Sequence, residues 1–244
     1  MMPEQAQDRP ADHVVVTGGA SGIGDAVVRL LRERGLTVTV FDLSPSAHDD
    51  VSSEAVDLRD EAAVEAAMER AWQRAPVGGV VVCHGIRGAY MPALEIGLDR
   101  LRLLYDVHVV GALAVSRALV RRLDGEPGSI VMVSSTTAYR GWANQADYGP
   151  AKAAERQLME NLAVEWAPLG VRVNAVAPGH TLTPMVQELV AGGYDLAAVE
   201  RRTPRGRLAD PEEIAAAIIW LLRDATHVIG QCLPVDGGWT VVGR

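Results

Sequence analysis

Short β-branched runs alternate with longer segments of helical period from residue 13 onward. A strand buried on both faces is a continuous apolar run, whereas a helix on a sheet repeats its apolar positions every three to four residues. The alternation predicts an α/β fold with a doubly wound parallel sheet of about seven strands and helices on both faces. The predicted strands are His13–Thr17, Thr37–Phe41, Glu54–Asp57, Val80–Cys83, Ser129–Val133, Val171–Val176 and Cys232–Val235. The predicted helices cover residues 22–34, 60–74, 99–122, 150–167, 184–191 and 211–223.

One connection departs from the alternation. The segment LSPSAHDDVSS at 43–53 is too short and too rich in turn formers for the helix that normally links parallel strands. We expect a loop there and one thinly covered sheet edge. No repeat or long linker interrupts the series, so the sequence predicts one domain at 12–244, a disordered tail at 1–11 and a lid at 185–205.

Charge and composition exclude several classes of partner. The chain has 244 residues and a formal net charge of -8, so no basic surface is expected for nucleic acid. The longest apolar run, IAAAIIWLL at 214–222, is shorter than a membrane span, and the start MMPEQAQDRP lacks an apolar signal core. Cys83 and Cys232 lie in apolar runs, which suits reduced thiols rather than a disulfide or a metal site. We expect a cytoplasmic protein with no membrane, nucleic-acid or metal partner.

The first turn is rich in glycine. In VVVTGGASGIGDAVVRLL, Gly18, Gly22 and Gly24 lie between the first strand and the first helix. Glycines at this point let the backbone approach a pyrophosphate, and the helix N-terminus offers free N–H groups. The pattern is typical of a Rossmann-like dinucleotide site, although such a turn alone is equally compatible with a structural role.

Asp42 ends the next strand, 18 residues after Gly24. A carboxylate there accepts hydrogen bonds from an adenosine ribose and repels a 2′-phosphate. Neither the glycine turn nor the four residues after Asp42 contain Arg or Lys, so NAD is favoured over NADP. The alternative is that Asp42 is a turn former at a strand end.

The stretch ADYGPAKAAE at 146–155 places Tyr148 four residues before Lys152. Pro150 is tolerated only in a first helical turn, so we expect the N-cap at Asp147 or Tyr148, with Lys152 pointing back toward the phenol. The spacing of Ala154, Leu158, Leu162 and Trp166 predicts that the helix continues from there. A nearby ammonium favours a phenolate, which makes Tyr148 a candidate general base for alcohol oxidation and general acid for ketone reduction.

The glycine spacing Thr-Gly-x-x-x-Gly-x-Gly, followed by Ser135, Tyr148 and Lys152, resembles the short-chain dehydrogenase/reductase family. Further matching motifs are AVDL, VSSTTA, VNAVAPG, Thr183-Pro184-Met185 and Val235-Asp236-Gly237-Gly238. The resemblance covers nearly the whole chain and implies Ser135, Tyr148, Lys152 and His108 as the catalytic set. It implies a cofactor-binding set of Thr17, Gly18, Ser21, Gly22, Ile23, Gly24, Asp42, Asp57, Leu58, Gly85, Lys152, Pro178, Gly179, Thr181 and Thr183.

Two segments depart from the family pattern. Val82-Cys83-His84-Gly85 replaces the usual Asn-Asn-Ala-Gly, which removes the bonds of the asparagines. His108 replaces a catalytic asparagine that acts largely through its main-chain carbonyl, a group His108 retains. Its imidazole either fills the structural place of the asparagine or titrates near pH 6–7; a hydrogen-bonded core histidine is the simpler interpretation.

Candidate substrate contacts are mixed aromatic and cationic: Arg87, Arg140, Trp142 and His180. They favour a cyclic or aromatic hydroxy compound, with an anionic group if the arginines are not simply solvated. The leading hypothesis is an oxidoreductase that transfers a hydride between NAD(H) and a secondary alcohol or ketone. The alternatives are a biosynthetic NAD(P)H-dependent ketoreductase and a non-catalytic NAD-binding regulator. A homotetramer is implied by the resemblance and fits a helix at 99–123 that is apolar on more than one face.

Overall fold

Seven parallel strands form one sheet in the computed structural model, which describes residues 10–242. The strands are β1 His13–Thr17, β2 Thr37–Asp42, β3 Ser52–Ala55, β4 Val77–Val82, β5 Gly128–Val133, β6 Val171–Pro178 and β7 Cys232–Val235. Their order in the sheet is β3-β2-β1-β4-β5-β6-β7. The chain therefore reverses its direction of winding between β1 and β4, and a crevice opens there at the carboxyl ends of the strands. The predicted fold class is confirmed.

Helices cover both faces of this sheet. Their bounds are α1 Gly22–Glu33, α2 Glu61–Arg74, α3 Leu98–Tyr105, α4 Gly111–Leu123, α5 Tyr148–Trp166, α6 Pro184–Ala191, α7 Leu196–Arg202 and α8 Pro211–Ile219. A π-helical turn, Asp106–Val110, joins α3 to α4, and another, Trp220–Asp224, follows α8. α2, α4 and α5 share one buried core, and α1 and α8 share the other.

The strands supply alternate side chains to the two cores. Val15 packs with the α2, α4 and α5 core, whereas Val14 and Val16 pack with the α1 and α8 core. Successive side chains of a strand point to opposite faces, so a strand covered on both sides has no solvent face to mark with polar residues. This burial explains the continuous apolar runs of the sequence.

Two strands begin earlier than predicted. β4 starts at Val77 rather than Val80, because Gly78 and Gly79 accept close neighbours that a side chain would exclude. A Cβ on Gly78 would lie 2.2 Å from the backbone nitrogen of Ala11. β3 covers Ser52–Ala55 instead of Glu54–Asp57, and the chain turns at Asp57, whose carbonyl accepts from Asp60 N.

The connection between β2 and β3 contains no helix, as predicted, and β3 is an edge strand. α7 was missed because its seven residues follow two glycines in the segment interpreted as a lid. Asp195 caps it, accepting from Ala198 N at 3.0 Å. The lid segment is therefore largely helical, formed by α6 and α7.

The predicted disordered tail is too long by at least two residues. Pro10 is buried, and the guanidinium of Arg223 donates to Pro10 O at 3.1 Å and to Ala11 O at 3.0 Å. Residues 1–9 lie outside the described residues, as do 243–244.

The run Leu98–Leu123 is long and apolar enough to cross a membrane by length and composition. Half of its most apolar stretch is buried inside the fold, where α4 packs against α2 and β4. Burial of this kind is typical of a core helix.

Candidate active site

A cavity of about 600 Å³ opens at the carboxyl ends of the strands, within the range of small-molecule sites. The glycine turn, the ends of β2, β4, β5 and β6, and the start of α5 contribute to its walls. All the predicted site residues line it except Thr17 and Arg140. Thr17 lies below, where its Oγ1 accepts from Cys83 N at 3.1 Å. Arg140 is exposed outside it and donates to Tyr139 O and Thr240 O.

The glycine turn fits the diphosphate of a dinucleotide. Gly18 has φ +64°, and a Cβ there would lie 2.6 Å from His84 Cα; a Cβ on Gly24 would lie 2.1 Å from Gly18 O. The N-cap of α1 is Ser21, whose side chain makes no capping bond. The first N–H groups of α1 therefore face the cavity without a capping side chain, an arrangement that binds anions.

Two carboxylates lie on the adenosine side. Asp42 is fixed at the end of β2, where its carboxylate accepts from Ala20 N and Ser44 N, each at 3.1 Å. Asp57 is held by the guanidinium of Arg59, whose hydrogen bonds lower the pKa of that carboxyl. Arg59 lines the cavity as well and was not among the predicted contacts.

Helix α5 begins at Tyr148, and Asp147 is its N-cap, as predicted. The carboxylate of Asp147 is fully buried and accepts from Tyr148 N and from Ala89 N, each at 2.8 Å. Pro150 lies in the first turn, where its missing N–H has no intrahelical partner. The helix start thus fixes Tyr148 and ties it to the loop after β4.

Lys152 is buried one turn into α5. Its ammonium lies 6.0 Å from the centroid of the Tyr148 ring, and it donates to Val133 O at 2.8 Å and to Glu155 Oε2 at 2.7 Å. Ser135 follows β5, and its Oγ accepts from Thr137 N at 3.2 Å. The three predicted catalytic side chains are therefore brought together, but the ammonium is bonded to Val133 and Glu155 rather than to the phenol.

The pKa of Tyr148 is raised, opposite to the direction expected from the neighbouring ammonium. Burial is the largest cause; Lys152 and a hydrogen bond from Ser135 lower the pKa, while Glu155 raises it. Burial alone lowers the pKa of Lys152, but Glu155 and Tyr148 bring it above its usual value. Burial raises the pKa of Glu155 to about 7, against the effect of Lys152. The expectation omitted burial and the carboxylate, which together outweigh the ammonium.

His84 and His108, the histidine pair, connect the loop after β4 to the π-helical turn from both sides. The ring of His84 donates from Nε2 to Val107 O at 2.9 Å, and that of His108 donates from Nε2 to Ile86 O at 3.0 Å. These carbonyl partners define the tautomers. Burial lowers the pKa of His84 to about 4 and that of His108 still further. The alternative that the His108 imidazole titrates near pH 6–7 is therefore wrong. The other interpretation, a hydrogen-bonded core histidine, agrees with the structure.

Aromatic rings form another part of the cavity wall. Trp142 stacks on His180 with ring centroids 5.2 Å apart, and His180 Nε2 lies 2.7 Å from the Tyr194 hydroxyl. Burial lowers the pKa of His180 to about 4, so its ring is neutral at pH 7. Arg87 lies at the mouth, where it pairs with Glu188 of α6 at 3.2 Å.

A family model described as enoyl-(acyl carrier protein) reductase matches residues 18–240. Curated relatives of more than 30% identity match over nearly the whole chain. The chain belongs to the short-chain dehydrogenase/reductase family. Family membership supports an oxidoreductase that acts on CH–OH groups with a nicotinamide dinucleotide.

Several similar members of the short-chain dehydrogenase/reductase family carry cyclic compounds in their names. Cis-4-hydroxycyclohexanecarboxylate dehydrogenase of Sinomonas cyclohexanicum is 39% identical, over 93% of this chain and 96% of that protein. 2,5-Dichloro-2,5-cyclohexadiene-1,4-diol dehydrogenase of Sphingobium indicum is 32% identical, over 94% and 97%. Levodione reductase, known from a crystal structure, is 30% identical in sequence to this chain. The two structures match with a TM-score of 0.88 over 96% of this chain and 100% of that one. Some solved structures of this fold contain NADP.

The sequence analysis did not single out Glu155, the buried carboxylate bonded to Lys152. The available signal was a carboxylate three residues after Lys152 on a helix that must bury one face. Arg59 was also not predicted as a site residue, although it follows Asp57 by two residues. Among residues 10–242, no group of three His, Cys, Asp or Glu side chains is arranged to hold a metal ion.

Proposed function

We propose that this chain is an NAD-dependent dehydrogenase that transfers a hydride between NAD(H) and a cyclic secondary alcohol or its ketone. The observation that carries the proposal is the grouping of Ser135, Tyr148 and Lys152 in the same cavity as the glycine turn. In this proposal the glycine turn holds the diphosphate, and the carboxylate of Asp42 selects the unphosphorylated adenosine ribose. When bound, the nicotinamide supplies the carbon that accepts or gives the hydride.

The chain's own residues handle the substrate oxygen and its proton. Ser135 donates a hydrogen bond to the oxygen, and Tyr148 removes the hydroxyl proton during oxidation or returns it during reduction. Lys152 carries the positive charge that limits the cost of the phenolate. The main-chain carbonyl of His108 remains the proposed fourth catalytic group, because its ring is bonded to Ile86 and is neutral.

The chemistry of the walls supports a ring-shaped substrate. Trp142 and the neutral ring of His180 provide flat ring surfaces, and the exposed Arg87 provides a cation that a substrate carboxylate would share with Glu188. The names of the relatives agree with a hydroxylated six-membered ring, and one of them includes a carboxylate. A hydroxycyclohexanecarboxylate is therefore the first substrate to test.

Reduction of a ketone is the second candidate, favoured by one observation. The pKa of Tyr148 is raised, so the phenol keeps its proton at neutral pH and can donate it to a carbonyl oxygen. Absorbance at 340 nm, measured in both directions with hydroxycyclohexanecarboxylates, cyclic diols and their ketones, identifies the preferred direction.

Tyr148→Phe is the decisive variant. It should lower kcat at least about 100-fold, since the proton transfer is lost, while NAD still binds with parental affinity. Tyr105→Phe, outside the cavity lining, is the matched control. Tight NAD binding by the parent protein with no turnover of any alcohol or ketone would instead favour a regulator.

We further propose a cytoplasmic homotetramer. Support comes from apolar side chains exposed on the α3–α4 segment and on α5, namely Leu98, Val110 and Val164, at 65%, 49% and 78% exposure. Light scattering after size exclusion should give about four times the 26.0 kDa of one chain. A mass of one or two chains at micromolar concentration would contradict the tetramer.

A further inference from the structure

Glu155 is a carboxylate on the buried face of α5, one turn beyond Lys152. Its side chain is 1% exposed and that of Lys152 is 5% exposed, and Oε2 accepts from Nζ at 2.7 Å. Ala151 and Met159, fully buried on the same helix, show that this face packs into the core. A buried carboxylate is strongly destabilising unless it is paired, and here the partner is a lysine of the proposed active site.

Apart from Lys152, the titratable groups that interact with Glu155 are Tyr148, Cys83 and Cys232, and none of these three carries a charge at neutral pH. Tyr148 is on the same helix, Cys83 follows β4 and Cys232 begins β7. Burial raises the pKa of Cys83 to about 12, and that of Cys232 is also raised. Arg156 is directed to Glu160, at 2.6 Å on the outer side of the helix, and over the Tyr139 ring. Lys152 is therefore the cation that compensates Glu155.

Two acceptors hold the Lys152 ammonium from different directions. Val133 O, at the end of β5, lies 2.8 Å from Nζ, and Glu155 Oε2 lies 2.7 Å from it. Neither acceptor is the phenol of Tyr148, whose ring centroid lies 6.0 Å from Nζ. An anion in contact with a cation cancels much of the field that the cation produces at a more distant group. The phenol thus experiences an ion pair rather than an isolated ammonium.

We propose that Glu155 is a positioning residue for the hydride-transfer reaction: its carboxylate fixes the Lys152 ammonium against Val133 O and weakens the stabilisation of the Tyr148 phenolate. The inference rests on the proposed function, in which Tyr148 exchanges a proton with the substrate. Glu155 itself forms and breaks no bond. Because Glu155 weakens the stabilisation of the phenolate, the phenol of Tyr148 stays protonated to higher pH. A protonated phenol suits proton donation to a ketone, and alcohol oxidation is moved toward alkaline pH.

The test is the pH profile of kcat/KM for alcohol oxidation with saturating NAD. In Glu155→Gln the carboxylate charge is removed at nearly constant volume, so the midpoint of the acid limb should fall by about one pH unit. Glu155→Asp keeps the charge and should give a midpoint between those of the parent and Glu155→Gln. Glu160→Gln, a carboxylate on the outer side of the same helix, should leave the midpoint unchanged.

A second measurement does not depend on turnover. Ionisation of Tyr148 is followed by phenolate absorbance near 295 nm. In the parent background, its contribution is the titration curve of the parent minus that of Tyr148→Phe. In the Glu155→Gln background, it is the curve of Glu155→Gln minus that of the variant that carries both substitutions. The phenol should titrate at lower pH without the carboxylate. If Glu155→Gln does not fold, Glu155→Met, which matches the apolar face, provides the same comparison.

The outcomes separate the two proposals. An unchanged or higher midpoint in folded Glu155→Gln or Glu155→Met would overturn the role of Glu155. Absence of NAD-linked turnover in the parent would overturn the proposed function, and the absorbance titration would still decide whether Glu155 acts on Tyr148.

Discussion

His84 replaces the alanine and His108 an asparagine of the family pattern, and both rings of the histidine pair bond to the backbone; His84 Nδ1 also lies 2.8 Å from Thr17 Oγ1. Each ring donates to a carbonyl of the opposite segment, at Val107 and at Ile86. A buried neutral ring with a fixed tautomer holds backbone in place and does not carry protons near pH 7. The proposed catalytic role of His108 therefore rests on its main-chain carbonyl, and we expect its side chain to be replaceable.

His108→Asn should therefore leave kcat within about tenfold of the parent, because the main-chain carbonyl is retained. The thermal midpoint should fall, since the shorter side chain leaves space beside Gly85. Steady-state turnover and thermal melts measure the two effects. A loss of kcat above tenfold, or some 1.4 kcal/mol of barrier, would show that the ring itself takes part.

Asp42→Ala tests the cofactor preference. Removing the carboxylate that repels a 2′-phosphate should raise kcat/KM for NADP relative to NAD by at least about tenfold. Asp50→Ala, an exposed carboxylate paired with Arg32, is the control and should not change the ratio. An unchanged ratio in Asp42→Ala would mean that other groups select the cofactor.

The site residues with a fixed chemical type and spacing could be predicted, whereas those defined by packing could not. Tyr148 and Lys152 were found because their chemistry needs one helix turn between them. Glu155 was missed because the apolar stripe was assigned to Ala154 and Leu158. Those two residues are half-buried, and Glu155 is fully buried. When the apolar stripe of a helix is assigned one residue too early, a charged residue on the truly buried face is not recognised.

At the scale of secondary structure, the N-terminus of α5 positions Tyr148, the proposed acid–base residue. Asp147 caps the helix and also accepts from Ala89 N, so one carboxylate joins the loop after β4 to the start of α5.

Strands were predicted well where β-branched residues dominate. The start of β4 was not, because Gly78 and Gly79 lack side chains, and their fit against Ala11 and Leu222 depends on the tertiary structure.

Asp147→Ala should destabilise the protein by about 2–4 kcal/mol, since two buried N–H groups lose their acceptor. It should also lower kcat, because Tyr148 loses its fixed position. Asp147→Asn retains an acceptor oxygen for only one of the two N–H groups, at nearly constant volume, and should therefore be destabilised less than Asp147→Ala. Urea unfolding followed by circular dichroism measures the loss, and equal stabilities for the two variants would contradict the capping role.

For the whole molecule, burial of histidines on both sides of the cavity makes stability depend on pH. The pKa values of His84 and His180 are lowered to about 4, and that of His108 is lowered further. In the unfolded chain these groups titrate near pH 6.5. Between about pH 6.5 and 4 the unfolded state therefore binds more protons than the folded state.

The free energy of unfolding should accordingly fall from pH 6.5 toward pH 4, by about 1.4 kcal/mol per pH unit for each histidine involved. Glu155, with its pKa raised to about 7, contributes the opposite slope from about pH 4.5 to 7. Urea unfolding at several pH values measures the net pH dependence of the free energy of unfolding. His108→Asn should reduce the slope and Glu155→Gln should steepen it; a slope unaffected by His108→Asn would contradict the assignment.

The histidine pair also limits the mutational paths open to this chain. A Cβ on Gly85 would lie 2.6 Å from His108 Cε1, and a Cβ on Gly111 would lie 2.9 Å from His84 Nε2. The two rings occupy the space that these glycines leave, so the four positions are epistatic. Alanine at 85 is disfavoured while the His108 ring is present, and alanine at 111 is disfavoured while the His84 ring is present, so each histidine must be replaced by a smaller residue before its glycine can vary.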